Sequence, residues 1–341
     1  MLQALELFQI AAEELNFSKA AQRGFVTQQC LSDHIKRLEA QYGVPLFNRK
    51  PKISLTEYGA ALQRAVQNIK VIETNLEKEL HEIAQEERGT VVFGINATRA
   101  RAILPRIYPR FYEKYPFVNL EIQMNETRSM EKLILNGKMD MFLGVDAMFH
   151  PNLTMQPVCS NPLYCALSAA AFRQVFGADA SPADFKNGIS IKDLAQLPFF
   201  LCLPESTTRQ LVEQTLSRKN IYLQNTFSIS DYEIHFDICA QKPMATICPS
   251  AAVMLAIDRN RLSAPENRML FFPIREIDSE LSIHLVYHRD LHFTNYLHSF
   301  IRLMIEEIEQ ENVFAAQYVL RQFDARPITQ PPASSSPSPD R

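Results

Sequence analysis

Glycine is scarce in this chain, 9 of 341 residues, and no Gly-rich phosphate loop or GxSxG nucleophile elbow occurs, which removes the usual nucleotide-binding and hydrolase signatures. The eight histidines, His34, His81, His150, His235, His284, His288, His292 and His298, are scattered and carry no metal or catalytic spacing. The six cysteines, Cys30, Cys159, Cys165, Cys202, Cys239 and Cys248, contain no CxxC pair. They are expected to be reduced packing residues, with a redox pair among the last five as the alternative. No catalytic residue, cofactor or metal is implied, and the chain does not read as an enzyme. No apolar run approaches the ~20 residues of a membrane-spanning helix, and Met1-Leu2-Gln3 opens no charged-then-apolar leader. The expectation is a soluble, cytoplasmic protein with no membrane partner. Apolar residues, 46% of the chain, are enough for a sizeable core, and the net charge is only -3.

What is present is concentrated at the start. Leu5, Phe8, Ile10, Ala12 and Leu15 keep one apolar stripe, which predicts a first helix over residues 3–15. Ser18 is placed to cap a second helix containing Ala20 and Ala21, and Thr27 to cap a third, from about Gln28 to about Gln41. Two capped helices joined by a short turn at Gly24-Phe25-Val26 suit a helix-turn-helix. In the third helix Leu31, Ile35 and Leu38 fall on the core side, leaving Gln28, Gln29, Ser32, Asp33 and Lys36 outside. Side-chain amides there can pair bidentately with an adenine edge in the major groove. Beyond Gly43 and Pro45, two short extended pieces flank a basic tip carrying Arg49, Lys50 and Lys52, which suits a wing on the sugar-phosphate backbone. From Lys19 to Lys52 seven bases face two acids, a local charge of +5. Ser18, Thr27 and Arg37 complete the expected DNA-facing set.

From Thr56 to about Glu87 there is no proline, and Leu62, Val66, Ile69, Glu73, Leu76, Leu80 and Ile83 recur at alternating steps of four and three. A 3.5-residue repeat over about three heptads predicts a long helix that pairs with a second copy. The alternative is an amphipathic helix lying on its own domain. Paired reading heads would also match half-sites about one helical turn apart.

These residues resemble the bacterial LysR-type transcriptional regulators. The resemblance rests on Leu5, Phe8, Ala20-Ala21, Thr27-Gln28, Ser32, Ile35, Leu38-Glu39, Gly43, Leu46-Phe47, Arg49, Leu55-Thr56 and Gly59. Two departures are Gln29, where the family usually has proline, and Gly24, where it usually has a core leucine. Gly24 is expected to cost apolar burial and add backbone freedom, with Phe25 or Val26 filling the gap. The resemblance implies double-stranded DNA, a small-molecule effector and RNA polymerase as partners, and a homodimer that can assemble into a homotetramer.

After Arg88-Gly89 short apolar strands alternate with helical stretches: strands at 90–95, 118–124 and 139–145, helices from near Leu104-Pro105 and over 129–136, then strands at 163–167, 198–203, 227–229, 244–247 and 281–287 and a helix over about 295–309. This alternation predicts a mostly parallel sheet with helices on both faces. Removing the first 88 of 341 residues leaves 253, enough for two lobes of ~100 to 150 residues each. The resemblance implies a periplasmic-binding-protein-like pair of lobes. The expected organisation is an all-α winged helix-turn-helix DNA-binding domain (1–60), a dimerisation linker helix (61–88), and an α/β bilobal effector-binding domain (89–325) with lobe I over 89–160 and 269–325 and lobe II over 161–268. A Pro- and Ser-rich tail (326–341) is expected to be disordered. Pro109, four residues after Pro105, should bend the opening helix of the first lobe.

Hydroxyls and cations at strand-to-helix junctions suit an anion, and free amides at helix starts add to the attraction. The expected effector-binding residues are Thr98, Arg99, Arg101, Thr127, Arg128, Ser129, Ser206 and Thr207, with the three arginines pointing to a carboxylate-bearing metabolite. The alternative is ordinary capping by Ser and Thr beside surface arginines. Effector binding would close the lobes and reset the DNA-reading heads. The competing reading from another class is a small-molecule carrier or enzyme-like bilobal protein whose N-terminal fold is inactive.

Overall fold

The computed structural model describes residues 2–83 and 88–324; the expected disordered tail and the last linker positions lie outside the described residues. Three helices, α1 (Leu2–Glu14), α2 (Phe17–Arg23) and α3 (Gln28–Tyr42), close on a small core that includes Phe8, Leu31, Ile35 and Phe47. Asn16, not Ser18, caps α2: its side-chain oxygen accepts from the amides of Ser18 and Lys19 at 3.0 and 3.1 Å. Ser18 already lies inside the first turn, so its amide is among those that need a cap. Thr27 caps α3 by accepting from the Cys30 amide at 3.2 Å, and Gly43, at φ 68°, ends it.

Two glycines there are explained by close approach. A Cβ on Gly24 would sit 2.8 Å from Leu7 Cδ2, although its φ of -82° is ordinary, so the residue serves proximity of α2 to α1 and not backbone freedom. Val26 packs against the domain core, whereas Phe25 is 96% exposed. A Cβ on Gly59 would meet the Leu46 carbonyl oxygen at 2.1 Å. That contact fixes the linker helix against the wing, whose strands β1 (Phe47–Asn48) and β2 (Ser54–Leu55) pair antiparallel.

The linker helix α4 (Glu57–Ile83) divides its faces. Leu62 and Val66 pack into the N-terminal core. Further on, Val71 and Lys78 are buried, Lys78 forms an ion pair with Asp140, and Asn75 donates to the Asp290 carbonyl. The opposite face leaves Ile69, Ile72, Leu76 and Leu80 exposed. One side of the helix therefore lies on its own chain, while an apolar stripe at helical spacing faces outward.

The rest forms two five-stranded sheets. In the first, of order β4-β3-β5-β12-β6, β3 (Gly89–Ile95) runs parallel to β4 (Val118–Met124) and β5 (Met141–Val145), and β12 (Leu281–His288) runs antiparallel to both β5 and β6 (Leu153–Asn161). The second has the order β11-β7-β10-β8-β9, with β8 (Phe199–Leu201), β9 (Asn225–Ser228) and β10 (Ala245–Pro249) parallel and β7 (Leu163–Ser168) antiparallel to both β10 and β11 (Met269–Pro273). In each sheet four strands therefore run one way and one runs against them, so the sheets are mostly parallel with a single reversed strand, β12 in the first and β7 in the second. Each reversed strand is the first after a crossing between the lobes. Because β11 pairs with β7, the return crossing falls between Pro273 and Leu281, later than the expected boundary at 269.

Helices cover these sheets: α5 (Ala97–Lys114), α6 (Thr127–Leu135), α7 (Ala169–Phe176), α8 (Thr207–Ser217), α9 (Tyr232–Gln241), α10 (Ser250–Leu262) and α11 (Asn295–Asp324). Helix α5 starts earlier than expected, capped by Asn96, and runs through both Pro105 and Pro109. The two prolines are on its exposed side, where water can satisfy the carbonyls they leave without donors. Helix α11 spans both lobes: Phe300 packs edge-on to Phe93 at 5.0 Å in the first, and Ala315 and Val319 enter the core of the second.

Candidate nucleic-acid interface and effector cleft

The outward face of α3 carries Gln28, Gln29, Asp33, Lys36 and Arg37, all exposed, with Ser32 half-buried among them. The Ser18 hydroxyl donates to the Gln28 side-chain oxygen at 3.0 Å, tying the start of α2 to the start of α3. Ser18, which does not cap, instead orients a candidate reader. Gln28, Ser18 and Asn16 border a shallow groove whose far bank is Lys52 and Ile53 of the wing, so helix and wing share one surface.

The wing cations divide into two kinds. Arg49 donates to Glu39 at 2.9 Å, and the other oxygen of Glu39 accepts from the Leu46 amide at 2.9 Å, so this arginine helps hold the wing against α3. Lys50 and Lys52, like Lys36, are exposed and form no ion pair among the described residues. Unspent cations on a surface with exposed amides can meet phosphates and base edges together.

Between the lobes lies a cavity of about 430 Å³ lined by Thr98, Arg99, Thr127, Arg128, Ser129, Ser206 and Thr207, seven of the eight expected effector residues. Arg101 is not among its lining. It reaches across the lobes to Asp231 at 2.9 Å and Glu233 at 3.4 Å. The helix starts α5, α6 and α8 converge here because the parallel strands preceding them end at the cleft. Asn96 accepts from the Arg99 amide at 2.9 Å, and the buried Thr127 hydroxyl accepts from the Val145 amide at 2.9 Å. Ser206, the residue before helix α8, is 5% exposed and makes no side-chain cap bond.

The three arginines do not stand as the sequence suggested. Arg99 is 2% exposed and lies 3.6 Å from Glu311 of α11, and Arg128 donates to both oxygens of Glu131 at 3.1 and 3.2 Å. Each of the three is answered by an acid distant in sequence or one turn along its helix; Arg99, withdrawn from water, needs that countercharge, whereas Arg101 and Arg128 keep 41% of their side chains exposed. Burial pushes the Glu311 carboxyl above the usual carboxylate range, against the pull of Arg99.

The cleft also includes residues outside the expected effector set: Asn96, Glu126, Asn161, Cys202, Glu205, Ser230 and Tyr232. Glu126 and Glu205 each directly precede an expected residue, and a search for hydroxyls and cations overlooked them. Burial first, and then the negative charge of Glu205, raise the Glu126 carboxyl above its ordinary range. Cys202 donates to the Tyr232 hydroxyl at 3.1 Å. All six cysteines are free. Burial raises the thiols of Cys159, Cys165, Cys202 and Cys248, and pushes Cys239 up to about 12, which suits protonated packing groups.

Comparison with known proteins gives a consistent result. Residues 2–60 match the family model "Bacterial regulatory helix-turn-helix protein, lysR family", and residues 84–309 match "LysR substrate binding domain". Among curated relatives, a probable RuBisCO transcriptional regulator of Phaeodactylum tricornutum is 28% identical over 237 residues, 68% of this chain and 72% of the relative. An uncharacterized HTH-type transcriptional regulator of Bacillus subtilis, YybE, is 26% identical over 64% of this chain and 71% of its own length. Among solved structures, a full-length OxyR variant from Pseudomonas aeruginosa superposes with a TM-score of 0.58 at 20% identity, covering 91% of this chain and 94% of that one. Full-length CbnR complexed with its target DNA gives a TM-score of 0.51 at 17% identity, over 90% and 99%.

Proposed function

The chain belongs to the LysR-type transcriptional regulators, which are DNA-binding proteins with an effector-binding domain and not enzymes, and on that premise we propose how its residues divide the work. Helix α3 enters the major groove, where Gln28, Gln29, Ser32, Asp33 and Lys36 meet base edges. Lys50 and Lys52, with Arg49 and Arg37, contact the backbone on either side. The observation that carries this reading is the single groove bordered by the exposed Gln28 of α3 and by Lys52 of the wing, a lysine without an ion pair among the described residues. A gel shift with the DNA upstream of the chain's own gene tests it. A chain that ignores that duplex and random duplexes at low salt overturns it.

Pairing of two copies through Ile69, Ile72, Leu76 and Leu80 of α4 would cover the exposed stripe and hold two reading heads in fixed relation. Further assembly to a tetramer, contact with RNA polymerase and action in the cytoplasm complete the proposal. The domain division is a DNA-binding unit to residue 60, a pairing helix, and a sensor whose lobes meet at the cleft. The effector is a small carboxylate-bearing metabolite. Its carboxylate is received by the uncapped amides at the start of α8, beside Ser206 and Thr207, and not by the arginines, which already have acids. Binding shifts the protein only to the extent that one arrangement of the lobes holds the metabolite better than the other.

A further inference from the structure

Charge around the cleft is not balanced. Of the charged side chains lining it, the cations Arg99 and Arg128 are paired with Glu311 and Glu131, carboxylates outside the lining. The lining acids Glu126 and Glu205 form no ion pair among the described residues. Glu126 is bonded to the Ser230 hydroxyl across the cleft, and Glu205 feeds its negative charge toward it. Two carboxylates, one from each lobe, therefore face the same space without an ion-pair partner of their own among the described residues. Like charges so placed oppose closure of the lobes.

We propose that the effector carries an ammonium or guanidinium group, received between Glu126 of the first lobe and Glu205 of the second. This rests on the reading of the cleft as the effector site and names what that site selects. With a carboxylate at the start of α8, the ligand is amino-acid-like, a zwitterion whose two ends find opposite fields within one cavity of about 430 Å³. That volume is within the range that encloses small ligands, about 300–1,000 Å³. The cation also supplies the differential affinity that the mechanism requires. It removes the repulsion between the lobes only when both carboxylates reach it, so it favours the closed arrangement.

The test uses the full chain and simple probes: agmatine and glycinamide as amines, succinate and acetate as carboxylates without an amine, and glycine with N-acetylglycine as a matched pair. Binding is read by saturation-transfer NMR and by titration, with the wild type, the double variant Glu126→Gln/Glu205→Gln, and Thr207→Trp, which fills the cleft. Circular dichroism confirms that each variant is folded. Amines should bind the wild type, weaken roughly tenfold to a hundredfold in the double variant as a charge-assisted hydrogen bond is lost, and disappear in Thr207→Trp. N-acetylglycine should bind more weakly than glycine. Amines that bind the double variant unchanged, or no amine binding at 50 mM or so, overturn the proposal. Succinate that is lost in Thr207→Trp but unaffected in the double variant, with no amine bound, would leave the cleft reading standing and remove only the cation. Probes that bind Thr207→Trp as well as wild type would remove the cleft reading itself.

Discussion

The reading head and the sensing cleft were both expected to hold anions with basic side chains, and the structure treats those side chains in opposite ways. On α3 and the wing, Lys36, Lys50 and Lys52 stay exposed and unpaired among the described residues. In the cleft Arg99 and Arg128, and beside it Arg101, are each matched by an acid. A surface that binds DNA gains from unspent charge, because each phosphate met releases a counterion to bulk solvent. A buried cation has no such freedom. It must be neutralised within the fold before any ligand arrives. Arg99 is such a buried brace, while Arg101 and Arg128, both 41% exposed at their side chains, are spent on acids at the surface.

Breaking that comparison at its most buried point should have the largest effect. Arg99→Ala leaves Glu311, 1% exposed at its side chain, without its countercharge, and urea unfolding should show a loss of about 3 kcal/mol or more. A loss within about 0.5 kcal/mol, the range of an ordinary surface change, would mean that Arg99 is held for a ligand and not for the fold.

On the exposed side, Gln29→Ala should change base preference at one position by about 1–3 kcal/mol while leaving stability nearly unchanged. Selection of bound sequences from a random pool measures the first and urea unfolding the second. Next in size, Lys52→Ala should weaken binding to all sequences alike and lower the slope of log affinity against log salt by about one unit. Arg49→Ala should also lower the slope, but it additionally frees Glu39 and loosens the wing, so its thermal midpoint should drop where that of Lys52→Ala does not.

The smallest effect concerns pH. The Glu126 carboxyl holds its proton more tightly in the folded chain than in the unfolded one, so stability falls as pH climbs from the ordinary 4.5 through the raised value. Glu126→Gln removes that loss. The variant should be the more stable at neutral pH, and its advantage should vanish as pH drops to the ordinary carboxylate range, in midpoints recorded across pH. An advantage that persists at low pH would place the cause in packing.

The reading head was largely legible because its information is local. Leu31, Ile35 and Leu38 announce the buried side of α3 at helical spacing, and all three are buried. The cap of α2 was misplaced by two residues because Asn16 and Ser18 are both good caps and only the backbone decides between them. In the sensing domain β6 was missed: it holds Pro157 and alternates poorly between buried and exposed positions. Helix α10, buried on most sides through Ala251, Ala252, Val253, Ala256 and Ile257, shows no amphipathic period to detect. Seven of the expected effector residues line one cavity because helix starts gather where parallel strands end. The role of the arginines was not legible, since Arg101 and Asp231 are 130 positions apart.

Sequence alone determined the family, the order of the domains, and which face of α3 looks outward, because caps, periodicity and turn residues act over a few neighbouring positions. Tertiary structure alone decided that β11 belongs to the second sheet, that α11 straddles both lobes, and that the cleft is left with two unmatched carboxylates in place of three free arginines. Pairing between strands and compensation between charges depend on distance in space, and residues far apart along the chain carry no local mark of the partner that folding brings to them.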